Sequence, residues 1–286
     1  MSSGDIEPRV VVGLDDTAPG LHAVAWAATE AAARNGALWI VHAAPHGADT
    51  SSPGCRRRLL DAGRAVAATS HPLLPVSTLQ VTAEPAAALL DAAEDAAMLV
   101  TGVASTTLAD SILGSIGLDV LGPASCPVAV VRRSDAVAGT VVVAGVEPDR
   151  DNSAVLAAAF AAAAAHHVAL TVVYVRNRRA AATSDDLHDE TRIWSLAHPS
   201  VEVDVRSVAG EPADVLAEAS RGARMLVVGG PSGHGATRAL LGSTTRSLTW
   251  NSRCPIVVAR APKAAGHRAP RRAGMSAHPA APPPPG

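Results

Sequence analysis

Short apolar runs recur along the chain, each closed by turn residues and followed by a stretch of helical composition. Residues 9–14 (Arg-Val-Val-Val-Gly-Leu) are β-branched and continuously apolar after the first position. They end in Asp15-Asp16-Thr17 and Pro19-Gly20, which are turn and helix N-cap residues. An Ala-rich helix is predicted over 21–35 and is closed by Asn35-Gly36, a C-cap signature. Further strands are predicted at 37–42, 76–82, 97–101 and 127–132, with helices at 57–70, 86–95 and 111–121. Strands that are apolar throughout belong to parallel sheets covered on both faces. Their alternation with helices predicts βαβ units and a doubly wound α/β sheet.

The same order then repeats, with strands expected near 140–146, 168–175, 201–206, 224–229 and 255–260. Gly102 and Cys126 recur as Gly229 and Cys254, 127 and 128 residues downstream. Gly13 pairs with Gly145, and Ala37-Leu38 with Ala169-Leu170, at an offset of 132. A period of this length marks a duplicated domain, because solenoid units run to about 50 residues. The expected division is a flexible N-terminus at 1–8, a first domain at 9–136, a second at 137–262 and a tail at 263–286. Residues 134–139 form the linker, and the Pro-, Ala- and Arg-rich tail is predicted to be disordered. Two equivalent domains are expected to pack about a pseudo-two-fold axis.

Composition narrows the classes. Apolar residues make up 48 % and charged residues 17 %, a core-forming balance. Aromatics are only 2 %, so Ala, Val, Leu and Ile must build the core. A net charge of −2 gives no electrostatic case for nucleic acid or an anionic membrane surface. No run reaches the roughly 18 apolar residues of a membrane span. The N-terminus lacks the basic and apolar regions of a secretory signal, and three cysteines without C-x-x-C spacing fit reduced thiols, so a cytoplasmic protein is expected. Cys55 stands beside Arg56-Arg57-Arg58, which would lower its thiol pKa at close range, and His166-His167 ends an Ala-rich helix where a cation suits the helix dipole.

In an open parallel sheet, ligands bind at the carboxyl ends of the strands. Two loops leave such ends in each half. One follows the first strand, at Asp15-Asp16-Thr17 and Glu147-Pro148-Asp149. The other follows the fourth strand, and in the second half it reads Gly229-Gly230-Pro231-Ser232-Gly233-His234-Gly235 before Gly242-Ser243-Thr244-Thr245. Glycines bring backbone amides close to an anion, and the hydroxyls add donors, so this is a candidate phosphate cradle. No Gly-Lys-Ser/Thr follows, which excludes a Walker loop.

These residues resemble the tandem form of the universal stress protein family over about residues 8–260. The resemblance rests on Val12-Gly13-Leu14-Asp15, on Ile40-Val41-His42-Ala43, on the fourth-strand loops and on the Cys-Pro-Val/Ile endings at 126 and 254. It implies two Rossmann-like, adenine-nucleotide α-hydrolase-like domains, each with a five-stranded parallel sheet and ATP at the strand ends. In the family's nucleotide-binding branch, Gly-x2-Gly-x9-Gly-Ser/Thr holds the phosphates. The first-loop Asp and a backbone group after the second strand hold the nucleoside. Carried over, the implied site of the first half is Asp15, Val41, Gly102, Ser105, Gly114 and Ser115. That of the second half is Glu147, Val173, Gly229, Ser232, Gly233, Gly242, Ser243 and Thr244.

The copies depart from the pattern in different places. Gly229 and Gly242 keep the family spacing, with Ser232 at the middle glycine and Gly233 beside it. Gly102 and Gly114 are one residue too close, with Ser105 between them. Conversely, Glu147 replaces the aspartate, shifting its carboxylate by roughly 1–1.5 Å. If one half alone binds ATP, this spacing predicts the second.

The expected function is that of a regulatory ATP-binding protein of stress response or dormancy-type adaptation, with Mg²⁺ where the phosphates need neutralising and an unidentified protein partner. No base and nucleophile pair is identifiable, so no catalytic role is expected, slow ATP hydrolysis aside. A homodimer of full-length chains is left open. The rival reading is a nucleotide-independent interaction module of the same fold. Adenylyl transfer would need a His- and Lys-rich phosphate motif, which is absent.

Overall fold

Ten strands form one continuous sheet in a computed structural model of the chain, which describes residues 7–45, 53–103, 115–132, 139–147, 150–176, 184–230 and 242–260. In the first half the order is β1 (Arg9–Gly13), α1 (Ala18–Ala33), β2 (Ala37–Ala43), α2 (Pro53–Ser70), β3 (Val76–Val81), α3 (Pro85–Ala92), β4 (Met98–Val103), α4 (Ser115–Leu121) and β5 (Val128–Arg132). The second half follows as β6 (Val141–Val146), α5 (Ser153–His166), β7 (Ala169–Arg176), α6 (Ser184–Ala197), β8 (Val203–Ala209), α7 (Pro212–Ala219), β9 (Met225–Gly229), α8 (Ser243–Asn251) and β10 (Ile256–Ala259). The linker 134–138 and the tail from 261 onward lie outside the described residues.

Alternate residues of the apolar runs are buried on opposite faces. Val10 and Val12 belong to the core on the side of α1, α2 and α5, whereas Val11 belongs to the core on the side of α3, α4, α7 and α8. This gives three layers, helices on both sides of the sheet, as continuous apolar strands require. The strand order is β3-β2-β1-β4-β5-β10-β9-β6-β7-β8. Within each half the pairing is parallel throughout, and the fold class is the duplicated doubly wound α/β arrangement expected from the alternation.

The halves join by one antiparallel pair, β5 with β10, in the register Val128 to Val258, Ala129 to Val257 and Val130 to Ile256. That seam reverses the direction of one half relative to the other. The carboxyl ends of the first half's strands therefore lie on one edge of the sheet, and those of the second half on the opposite edge.

Reciprocal contacts lock the seam. Arg132, ending β5, donates to the carbonyls of Trp250 (2.7 Å) and Ser252 at the end of α8. Its equivalent Arg260, after β10, reaches the Gly122 carbonyl (3.4 Å) beyond α4. Glu30 on α1 is fully buried, and its carboxylate accepts from His166 Nε2 on α5 (2.7 Å) and from Arg34. The sequence placed His166 at a helix C-terminus; the structure adds an anionic partner from the other half.

The Asn35-Gly36 ending also gains a reason. The left-handed residue is Asn35 (φ 51°), not the glycine, and the second half repeats it with His167 (φ 52°). Gly36 is needed because a Cβ there would run into the Pro8 carbonyl.

Candidate functional site

In the first half, β1 delivers the chain to its carboxyl end at Gly13, where α3 closes over it. A Cβ on Gly13 would meet Leu89 Cδ1 at 3.0 Å, and the equivalent Gly145 faces Leu216. Beyond Gly13, the Leu14 amide donates to the Val41 carbonyl (2.9 Å) and His42 Nδ1 donates to the Leu14 carbonyl (2.9 Å). A carbonyl only accepts, so Nδ1 carries the imidazole proton. These bonds fix the direction in which the chain leaves the sheet.

Asp15 follows, exposed, and Oδ1 accepts from the Thr17 amide (3.2 Å) and the Thr17 hydroxyl (2.5 Å). Thr17 is the N-cap of α1, accepting from the Gly20 amide (3.2 Å). Asp15 thus orients the cap rather than serving as one. Gly20 leaves the room this needs, since a Cβ there would collide with Asp15 Oδ1.

Asp15, Val41 and Gly102 come together in one cleft of about 110 Å³, at the ends of β1, β2 and β4. His42, Thr101 and Gly20 share its walls, and sequence reasoning had not singled them out as site residues. Each is separated from the others in sequence, and only the register of β1 with β2 and β4 brings them together. The signal that could have found His42 is its place directly after Val41, at the end of the second strand. Thr101 is buried, and its hydroxyl donates to the Ala129 carbonyl (3.4 Å). Gly102 has a packing role too: a Cβ would lie 2.7 Å from the Pro19 carbonyl oxygen. Ser105 and Gly114 lie outside the described residues, and Ser115 opens α4.

In the second half, Glu147 and Gly229 stand at the ends of β6 and β9, and Val173 lies in β7 opposite Gly145. Glu147 pairs with Arg150 (3.0 Å), both side chains being more than half exposed. Asn152 occupies the position of Gly20, at the offset of 132. Its Oδ1 accepts from the Glu147 amide (3.0 Å), and its Nδ2 donates to the carbonyls of Glu147 (3.0 Å) and Arg150 (3.1 Å). Here a side-chain amide braces the loop where the first half has open space for a carboxylate. Hydrogen bonds from the Ser153 hydroxyl and then its amide hold the neighbouring Asp151 carboxyl below its ordinary range.

Gly242 caps α8 through its carbonyl, which accepts from the Arg246 amide (2.9 Å). A Cβ on Gly242 meets no described atom within 4 Å. Ser243 is exposed and Thr244 half-buried in the first turn, where amide donors and the positive end of the helix dipole favour an anion. Thr245 donates to the Gly229 carbonyl (3.2 Å), tying the start of α8 to the end of β9. Ser232 and Gly233 lie outside the described residues. Among the described residues, no cluster of His, Cys, Asp and Glu could hold a metal ion, and no helix is long and apolar enough to cross a membrane.

Comparison with known proteins agrees with the duplication. The family model described as Universal stress protein family matches residues 8–132 and again residues 140–260. Universal stress protein Rv2005c of Mycobacterium tuberculosis is 29 % identical over 297 residues, covering 91 % of this chain and 99 % of that protein. Universal stress protein Rv3134c of the same organism is 32 % identical over 245 residues, covering 79 % and 89 %. Among solved structures, a universal stress protein from Archaeoglobus fulgidus superposes with a TM-score of 0.67 at 14 % identity, covering 89 % of this chain and 97 % of that one. With both halves matched and nine-tenths or so of its relatives' length spanned, the chain belongs to the universal stress protein family.

Proposed function

We propose that the protein is a regulatory nucleotide-binding protein that takes ATP, with Mg²⁺ balancing the phosphates, at the strand ends of its first half. The observation that carries this reading is the convergence of Asp15, Val41 and Gly102 on one cleft. These are the described residues of the first half that the family resemblance assigns to the nucleoside and the start of the phosphate loop. His42 and Thr101 add polar groups to walls formed by Leu14 and Leu89, the mixture of apolar surface and few polar groups typical of small-molecule sites. Loop spacing favours the second half, but Asn152 and the Glu147–Arg150 pair engage its first loop internally. The protein acts in the cytoplasm by binding rather than turnover, and nucleotide occupancy alters its affinity for a protein partner during stress adaptation.

Isothermal titration with ATP and Mg²⁺ at about 100 μM protein detects any site of micromolar affinity. Saturable heat is expected, lost in Asp15→Ala and kept in Glu147→Ala. Absence of heat from folded wild-type protein would exclude the reading. A second reading, an interaction module without nucleotide, draws on the bonds that already engage the Asp15 carboxylate with Thr17. It requires partner binding to be unchanged by ATP and by Asp15→Ala.

A further inference from the structure

A second cavity, of about 450 Å³, lies between the two halves, apart from the nucleotide reading. Its walls are the first turns of α5, Asp95 and Ala96 ahead of β4, the residues just ahead of β5, and Arg260 after β10. The repeat explains why it exists. Ala154 and Ala158 of its wall stand where the first half has His22 and Trp26, at the offset of 132. Trp26 is only 2 % exposed, filling space in the core. The second half sets its bulky helix residue at Phe160 instead. That is two positions beyond the Trp26 equivalent and about 200° around the helix. Phe160 is committed to α6, its ring centroid 6.2 Å from Trp194 and 5.4 Å from His198. The side of α5 facing the seam is left with alanines.

The cavity has an apolar wall and a polar end. The Cys126 thiol belongs to the apolar part, since burial pushes its pKa up to about 11 and keeps it neutral. Arg260 is 7 % exposed and lines the other end, where its guanidinium also donates to the Gly122 carbonyl (3.4 Å). Its planar fork suits carboxylates and related anions, and because the acidic Asp95 lines the same cavity, an anion must seat at the Arg260 end. The volume lies within the range of small-molecule sites, roughly 300–1,000 Å³.

We propose that this seam cavity binds a small organic anion, its ring-sized apolar body against Ala154 and Ala158 and its carboxylate or sulfonate on Arg260. The same guanidinium abuts Gly230, where an added Cβ would collide with it, so the occupant reports to the end of β9.

The probe is 8-anilinonaphthalene-1-sulfonate, an aromatic sulfonate whose fluorescence rises on transfer from water, titrated into the full chain with saturating ATP present. One bound probe per chain is expected. Ala158→Trp, which restores the first half's indole, should weaken binding by about tenfold or more while leaving thermal stability unchanged or raised. Ala154→His should weaken it in the same direction. N-phenyl-1-naphthylamine, which lacks the sulfonate, should bind about tenfold more weakly than the anionic probe. The proposal is overturned if both variants bind the probe as the wild type does, if Ala158→Trp unfolds the protein, or if the neutral probe binds equally well. Displacement of the probe by ATP, one for one, would assign it to the strand-end cleft and equally overturn the proposal.

Discussion

Two glycines of the loop motif, its first in one half and its last in the other, do different work. Gly102 ends β4 where α1 crosses, and a methyl group there would press on the Pro19 carbonyl and on Ala23. Gly242 opens α8 with no described atom near its missing side chain. Gly102→Ala is therefore expected to cost about 1–3 kcal/mol through overpacking. Gly242→Ala should cost less than about 1 kcal/mol, the loss of a favoured N-cap residue. Urea denaturation of the two variants checks the ordering. If Gly242→Ala removes ligand binding while sparing stability, its glycine serves approach of a ligand. The Asp15 carboxylate was legible in the sequence because it ends an apolar run. Its tie to Thr17 was not, because an N-cap and a cap-orienting residue two positions away look alike until the side chains are placed.

At the scale of elements, helix ends receive their partners from unexpected places. α1 takes its cap locally, so Thr17→Ala should lower stability by about 1 kcal/mol, with Thr17→Ser retaining most of it, as thermal melts would show. The C-terminal carbonyls of α8 are instead satisfied by Arg132, from a strand more than a hundred residues earlier. Hydrogen bonds from a charged group are worth about 1.5–3 kcal/mol each, and truncation leaves buried carbonyls unmet. Arg132→Ala is expected to lose about 3 kcal/mol in chemical denaturation, more than a typical exposed arginine would. The strands and helices themselves were readable, since the apolar runs of the inner strands are buried on both faces and each helix has a breaker or cap beside it. The arginines were not readable as clamps. In sequence they are merely the polar ends of the last strands, and their targets exist only once β5 and β10 pair antiparallel. Likewise His42 and Thr101 joined the candidate site through strand register, which local composition does not encode.

At the scale of the molecule, one buried acid links the halves. Burial alone would push the Glu30 carboxyl up, but the hydrogen bond from His166 and the charge of Arg34 outweigh it and hold the pKa below its ordinary 4.5. The folded state thus favours the charged form. Glu30 contributes its full stabilisation above the ordinary value and loses it as pH falls through the lower folded value. Glu30→Gln should be less stable than wild type at neutral pH, and the gap should close on acidification below about pH 4.5, measured by denaturation across pH. Breaking a buried ion pair from one side costs about 3–5 kcal/mol, which sets the scale for Glu30→Ala. A gap that stays constant to low pH would contradict this role. The reversal at the β5–β10 seam has a further consequence for anything that reads the loaded protein. Because the two halves point toward opposite edges, a reader seated at the first half's cleft leaves the strand ends of the second half uncovered and facing away. The distance between those two edges is set by the length of the strands rather than by a linker.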